Sequence, residues 1–270
     1  MPELTLIISF YNKPHNLKLV IASLEVQTFK AFEVIIADDG SSDEIVKIVQ
    51  SIISSSSLDI KHIWHEDKGW RKNRILNKAI LSSNTDYLVF IDGDCILHPE
   101  FMEEHYDHRE KNYVIAGRRV NLSKKISENL TPEKISKGYL WGRYRLWILV
   151  EGLIKKNTHF ENSFYFKNPL IRRFINKKDK GILGAHFSIY KDDIVAVNGF
   201  DERYLAPAVG EDTDLEYRLR QNGMKIKTLK HIAIQYHIYH RKLFRDERNQ
   251  KIFEETKRKG LAYTPYGLSQ

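Results

Sequence analysis

Only one cysteine, Cys95, occurs in 270 residues, so no internal disulfide can form and a reducing compartment is expected. No stretch of about 18 uncharged apolar residues is present, which leaves no candidate for a membrane-spanning helix. The amino terminus, MPELTLIISFYN, lacks a basic n-region and an apolar core, so no secretory leader is expected and the cytoplasm is the expected location. Also missing are a Walker glycine loop, a G-x-G-x-x-G turn, a paired C-x-x-C and a G-x-S-x-G elbow. A nucleotide would therefore have to be held by strand-end loops and a metal. What is present is an ordinary soluble composition, 42% hydrophobic and 29% charged. That excludes a disordered chain, a collagen-like fibre and a disulfide scaffold, and the length is enough to bury a core without staples.

The formal net charge is +8, but it is local. Residues 118–180 hold 16 Lys/Arg against 5 Asp/Glu, which leaves the remainder near −3. A near-neutral body with one basic segment suits a surface adapted to anionic partners, or a solvated lysine-rich face, better than a general polyanion binder. No nucleic-acid partner is expected.

LTLIIS, FEVIIAD, DIKHIWHE and DYLVFID are apolar runs of strand length, separated by helical patterns at Leu17–Leu24, EIVKIVQSII and RILNKAILSS. The Asp, Gly and Ser residues of DDGSSD make a turn and a helix start. Strand and helix alternating in such short units predict a mostly parallel, doubly wound α/β sheet with helices on both faces. In these sheets ligands sit at the carboxyl ends of the strands, where Ser9, Asp39 and Asp92 fall. The expected organisation is a single domain over 1–270. Its parts are a nucleotide-binding half (1–117), a basic helical segment (118–180) and an acceptor and catalytic half (181–240), followed by a charged, helical tail (241–270).

Three clusters carry candidate chemistry. Asp92 and Asp94 flank Gly93 at the end of a buried strand and face one way on an extended chain. This is either a turn or a hard oxygen site for Mg²⁺ or Mn²⁺. Glu211, Asp212 and Asp214 open the helix of GEDTDLEYRL, where carboxylates either cap the helix or serve as a base. His237 and His240 follow a strand-like run, and one of them could complete a metal shell.

Taken in order, the blocks LTLIISFYNKPHNLKLVIASLEVQTFKAFEVIIADDGSSD, GWRKNRILNKAILSSNTDYLVFIDGDCILHP and NGFDERYLAPAVGEDTDLEYRL resemble the family-2 glycosyltransferases of GT-A fold. The last block is also similar to the carboxy-terminal part of galactosyltransferases and chondroitin-type polymerases. The resemblance implies that Ser9, Tyr11 and Asp39 hold a nucleoside, with Asp39 on a uracil, and that Arg71 lies against the base or diphosphate. It implies Asp92 and Asp94 as the Asp-x-Asp pair, Asp94 binding the metal directly, with His237 completing the shell. Asp212 matches the catalytic base, Glu211 the residue that orients the acceptor, and Gly184 a glycine beside the donor sugar. The chain departs from the family pattern at three places. His186 stands where many relatives carry a small amide, so an altered donor-sugar pocket is expected. Leu76 replaces a frequent arginine, leaving Arg71 or Arg74 to supply that charge. Residues 206–209 replace an aromatic and glycine run.

The implied reaction is an inverting, metal-dependent transfer from a UDP-sugar to a hydroxyl of a glycan or lipid-linked acceptor in surface polysaccharide or lipopolysaccharide synthesis. The alternatives are a sugar-nucleotide nucleotidyltransferase, which would want a glycine-rich loop where SFYNKPHN stands, and a non-catalytic nucleic-acid binder, which leaves both acidic clusters unexplained. GYLWGRYRLWILVEGLI mixes aromatics with arginines. It suits either peripheral contact with an anionic membrane or a roof over the acceptor cleft.

Overall fold

The first ninety residues alternate strand and helix: β1 (Leu4–Phe10), α1 (Pro14–Glu25), β2 (Phe32–Asp38), α2 (Asp43–Ser55), β3 (Ile60–Trp64), α3 (Lys72–Ser82) and β4 (Tyr87–Asp92). The structure is a computed structural model. It describes residues 1–142, 144–154, 158–206, 211–241 and 247–268, with the backbone but not the side chain of Glu211. β1 and β2 form because their β-branched apolar runs are covered on both faces. Every residue of β2 is buried, and in β1 only Ser9, at the functional edge, is partly exposed. Residues alternate between faces. Leu6, Ile8, Val34 and Ile36 pack with α1 and α2, whereas Ile7, Ile35, Leu88 and Phe90 pack with α3 on the other side.

The chain continues through β5 (Cys95–Leu97), α4 (Phe101–Asp107), β6 (Tyr113–Ala116) and β7 (Arg118–Asn121). Short helices follow: α5 (Lys124–Glu128), α6 (Pro132–Ser136), α7 (Arg145–Leu153) and α8 (Pro169–Ile175). The remainder gives β8 (His186–Tyr190), α9 (Lys191–Ala196), α10 (Glu211–Gln221), β9 (Lys225–Thr228), β10 (Ile234–His237) and α11 (Glu247–Lys259). The main sheet has the order β3-β2-β1-β4-β8-β6-β9. Its first four strands run parallel, and β8 lies antiparallel between β4 and β6. A second sheet, β5-β10-β7, takes one strand from each of residues 1–117, 118–180 and 181–240.

The basic segment carries α5 to α8, as expected, but is not helical throughout. It opens with strand β7, which pairs in parallel with β10, and among the described residues of GYLWGRYRLWILVEGLI only Arg145–Leu153 is α-helical. A four-residue strand carrying two arginines has no hydrophobic alternation to reveal it. Its pairing partner lies more than a hundred residues away.

His186 is not among the residues that line the strand-end cleft. Its ring is fully buried against Gly117, where an added Cβ would stand 1.9 Å from it. Its Nε2 lies 3.1 Å from His105 Nε2, and His105 Nδ1 lies 2.7 Å from Ser188 Oγ. Burial pushes His105 down to about 3 and His186 well below its ordinary value. The folded state therefore keeps both imidazoles neutral while the unfolded chain takes up protons below its ordinary value. The stability this pair supplies is present in full above pH 6.5, the reference histidine value, and is lost as pH falls. Between that value and pH ~5, His105 alone should give up about 2 kcal/mol. Urea titrations across this range should show the loss, and His105→Asn should flatten it.

Candidate active site

The carboxyl ends of β1, β2 and β4 open into a cleft of about 440 Å³ lined by Ser9, Tyr11, Asp39, Trp70, Lys72 and Asp94, among others. The β1–β4 register sets Ser9 beside Asp92, and β2 delivers Asp39 one residue past its end. Asp39 is buried and fixed from two sides: Oδ1 lies 2.8 Å from His65 Nε2, and Oδ2 accepts the Arg71 backbone N–H at 2.9 Å. Burial pushes the Asp39 carboxyl up and the His65 imidazole down, so a neutral imidazole faces the carboxylate at neutral pH. Tyr11 is half exposed at the rim and donates its hydroxyl to Asp67 at 2.9 Å. The Arg71 guanidinium donates to the Glu66 carbonyl, and its charge acts on Asp39. Leu76 is buried in the core, and Arg74 faces Glu202 at 3.8 Å. Among the described residues the lysines that line the cleft are Lys13 and Lys72, neither of which sequence reasoning named.

Asp92 and Asp94 share the cleft but have different partners. Gly93 lies against β1, its N–H donating to Ser9 O at 2.8 Å, and a Cβ there would stand 2.9 Å from that oxygen. Asp92 Oδ1 accepts from Ser9 Oγ at 2.7 Å and Lys72 Nζ at 2.8 Å. Burial opposes ionisation of Asp92, but the Lys72 ammonium and the Ser9 hydroxyl outweigh it and hold the carboxyl down at about 2. Asp94 faces β10 instead. Its Oδ1 lies 3.5 Å from His237 Nε2 and its Oδ2 3.6 Å from His240 Nε2, and the two imidazole nitrogens are 3.2 Å apart. All three ligand atoms fall within 4.8 Å of one another. Burial pushes His237 down to about 4, so its lone pair is available at neutral pH. Among the described residues the group able to hold an ion is thus Asp94, His237 and His240, both histidines rather than one. Asp92, expected to share the ion, is engaged by Lys72 and Ser9.

Arg119 adds a further positive charge that the sequence did not reveal. It stands opposite Gln235 in the β7–β10 ladder, on the face that carries His237. Its charge acts on Asp92 and His237 together, and it has no ion pair or side-chain hydrogen bond among the described residues.

At the start of α10, Asp212 is half-buried and held by backbone. Its Oδ2 accepts the Gly184 N–H at 3.1 Å and its Oδ1 the Thr213 N–H at 2.8 Å. A Cβ on Gly184 would come within 3.0 Å of Asp212 Cβ, so glycine permits this approach. The Glu211 side chain and residues 207–210 lie outside the described residues. Asp214, the third carboxylate of this cluster, points inward and pairs with Arg218 Nε at 2.8 Å, both side chains being 1% exposed. Arg218 also donates to Val197 O at 2.7 Å. Asp214 is therefore structural. Asp214→Asn strands a buried guanidinium and should cost about 3 kcal/mol in denaturant titrations, with nucleotide affinity of the folded fraction unchanged.

A family model described as "Glycosyl transferase family 2" matches residues 5–195. The chain belongs to glycosyl transferase family 2. A second model, "N-terminal domain of galactosyltransferase", matches residues 174–241, the stretch that contains Gly184, Asp212 and His237. Chondroitin synthase of Escherichia coli is 25% identical over 87% of this chain and 34% of its own length. Validoxylamine A glucosyltransferase of Streptomyces hygroscopicus subsp. jinggangensis is 30% identical over 83% of this chain and 53% of its own. A Campylobacter jejuni relative, GalNAc(5)-diNAcBac-PP-undecaprenol beta-1,3-glucosyltransferase, is 24% identical over 71% and 65%. The chain thus spans between a third and two thirds of the length of these relatives. Among solved structures, S. aureus TarS matches with TM-score 0.56 and 15% identity over 88% of this chain and 37% of that one. A Pyrobaculum calidifontis mannosyltransferase in complex with GDP-Man and Mn²⁺ matches with TM-score 0.58 and 13% identity over 94% and 61%. The family-2 chain has the GT-A fold that its sequence motifs imply.

Proposed function

We propose that this chain transfers a hexose from a UDP-sugar to a hydroxyl of a glycan or lipid-linked acceptor, with inversion, in surface polysaccharide or lipopolysaccharide synthesis. The observation that carries this reading is a single strand-end cleft with Asp39 at one side and the Asp94–His237–His240 group at the other. One carboxylate and two imidazoles form a donor set that suits Mn²⁺ better than Mg²⁺, which prefers oxygen throughout. A bound ion would neutralise the departing diphosphate and act as a Lewis acid.

The chain's own residues supply the rest. Each Asp39 oxygen already accepts one hydrogen bond and keeps a second lone pair, so the carboxylate, fixed in place, can accept the imide N–H of uracil. Tyr11 and Trp70 offer aromatic faces beside it. Lys72 and Arg119 bring positive charge to the side where phosphate charge collects. The Gly184 and Thr213 N–H groups orient Asp212, which takes the proton of the attacking hydroxyl. A double displacement would require a further nucleophile at the donor carbon, and the sequence offers no separate candidate.

A thermal-shift panel of nucleotide sugars tests the donor assignment. UDP-sugars should raise the melting temperature with Mn²⁺ and lose most of that effect with chelator. Stabilisation by GDP- or CMP-sugars alone would overturn the uracil assignment.

A further inference from the structure

Helix α7 presents the reverse of the usual amphipathic pattern. Its buried positions are Ile148, Glu151 and Gly152, whereas Leu146, Trp147, Val150, Leu153 and the following Ile154 are 48–75% exposed. At 100° per residue these five fall within about a third of the helix circumference, so one continuous outward face is wholly apolar. Glu151 explains the inversion: it is buried and accepts from Ser123 Oγ and from Trp147 Nε1. The helix is thus anchored by its acid, with its greasy face turned out.

Trp147 also forms one wall of a second pocket, of about 350 Å³, lined by Lys125, Lys134, Tyr139 and Tyr144 among others. Lys125 Nζ lies 5.5 Å from the Trp147 ring and Lys134 Nζ 5.4 Å from Tyr139, which stacks on Tyr144 at 3.7 Å. Two ammonium groups framed by amphipathic rings stand directly beside an exposed apolar stripe. Helix α8 repeats the theme, with Leu170 and Phe174 more than 70% exposed next to Arg173. We infer that the outer face of α7, with its Lys125–Lys134 pocket, docks on an anionic phospholipid bilayer. The apolar stripe enters the acyl boundary, the aromatics sit at headgroup depth and the two lysines take a lipid phosphate. The occupant follows from charge. A second copy docked on this face would bring like charge against like charge across a segment with 16 Lys/Arg and 5 Asp/Glu, whereas an anionic surface complements it. This inference rests on surface residues alone and stands independently of the transferase reading.

Co-sedimentation of the full chain with phosphatidylglycerol/phosphatidylcholine vesicles tests it, with pure phosphatidylcholine vesicles as reference. Binding is expected to the anionic vesicles only and should weaken as salt rises. The pair Lys125→Gln and Lys134→Gln should lower the partition coefficient about fivefold per lysine. Leu146→Asp with Leu153→Asp should lower it at least as much, with circular dichroism and melting unchanged because both positions are exposed. Excess glycerol 1-phosphate should not release the bound protein. No binding to anionic vesicles at low salt would overturn the inference. So would release by soluble phosphate, which would make the pocket a site for a small anion. A dimer in light scattering that the two Asp substitutions dissolve would assign the face to a second copy and likewise overturn it.

Discussion

Asp212→Asn should leave nucleotide binding intact and lower turnover by about 10²–10⁴-fold, the range for loss of a positioned general base. Two backbone N–H groups, from Gly184 and Thr213, each meet one oxygen of this carboxylate. Asparagine keeps the shape but offers an oxygen to only one of them and cannot accept a proton. The effect belongs in kcat, because nothing in the nucleotide end of the cleft depends on residue 212. Steady-state kinetics on donor hydrolysis, paired with calorimetry of UDP binding, separates the two. Near-normal turnover would reduce Asp212 to a helix-start residue and move the base to Glu211.

Asp94→Ala should abolish the metal-dependent part of UDP affinity, a loss of about 10²-fold or more, while the fold survives. Asp94 is the only carboxylate of the three-residue group, and its removal leaves two neutral imidazoles that hold a hard divalent ion poorly. His240→Ala should be milder, since Asp94 and His237 remain. Calorimetry with Mn²⁺ and with chelator reads both variants. UDP affinity unchanged by Asp94→Ala in the presence of Mn²⁺ would remove the ion from this position.

The parallel half of the fold was legible because its strands are buried on both faces and written as unbroken apolar runs. FEVIIAD became a strand from end to end. The strand-end aspartates were legible for the same reason: once β1, β2 and β4 are placed, their last residues must share an edge. Long-range choices among neighbouring residues were not legible. Arg71 and Lys72 are adjacent, and only the start of α3 decides that the lysine enters the cleft. His237 and His240 looked like alternatives because an extended reading points only one of them inward. The strand ends at His237, and both reach Asp94. The buried His105–His186 contact joins residues 81 positions apart and leaves no local trace. Asp214 and Arg218 did leave one: an acid and a base four apart on a helix already suggest a pair.

The central claim is that this cleft uses a divalent ion and Asp212 to displace a nucleoside diphosphate in line from the anomeric carbon. Proton NMR of UDP-hexose breakdown by the wild-type chain in water with Mn²⁺, each aliquot being stripped of the ion on chelating resin before its spectrum so that line widths stay narrow, tests it without knowledge of the acceptor. The expected result is metal-dependent release of UDP, with the first-formed free hexose in the inverted, β configuration from an α-linked donor before mutarotation. First-formed α-hexose, or UDP release that continues undiminished in chelator, would contradict it.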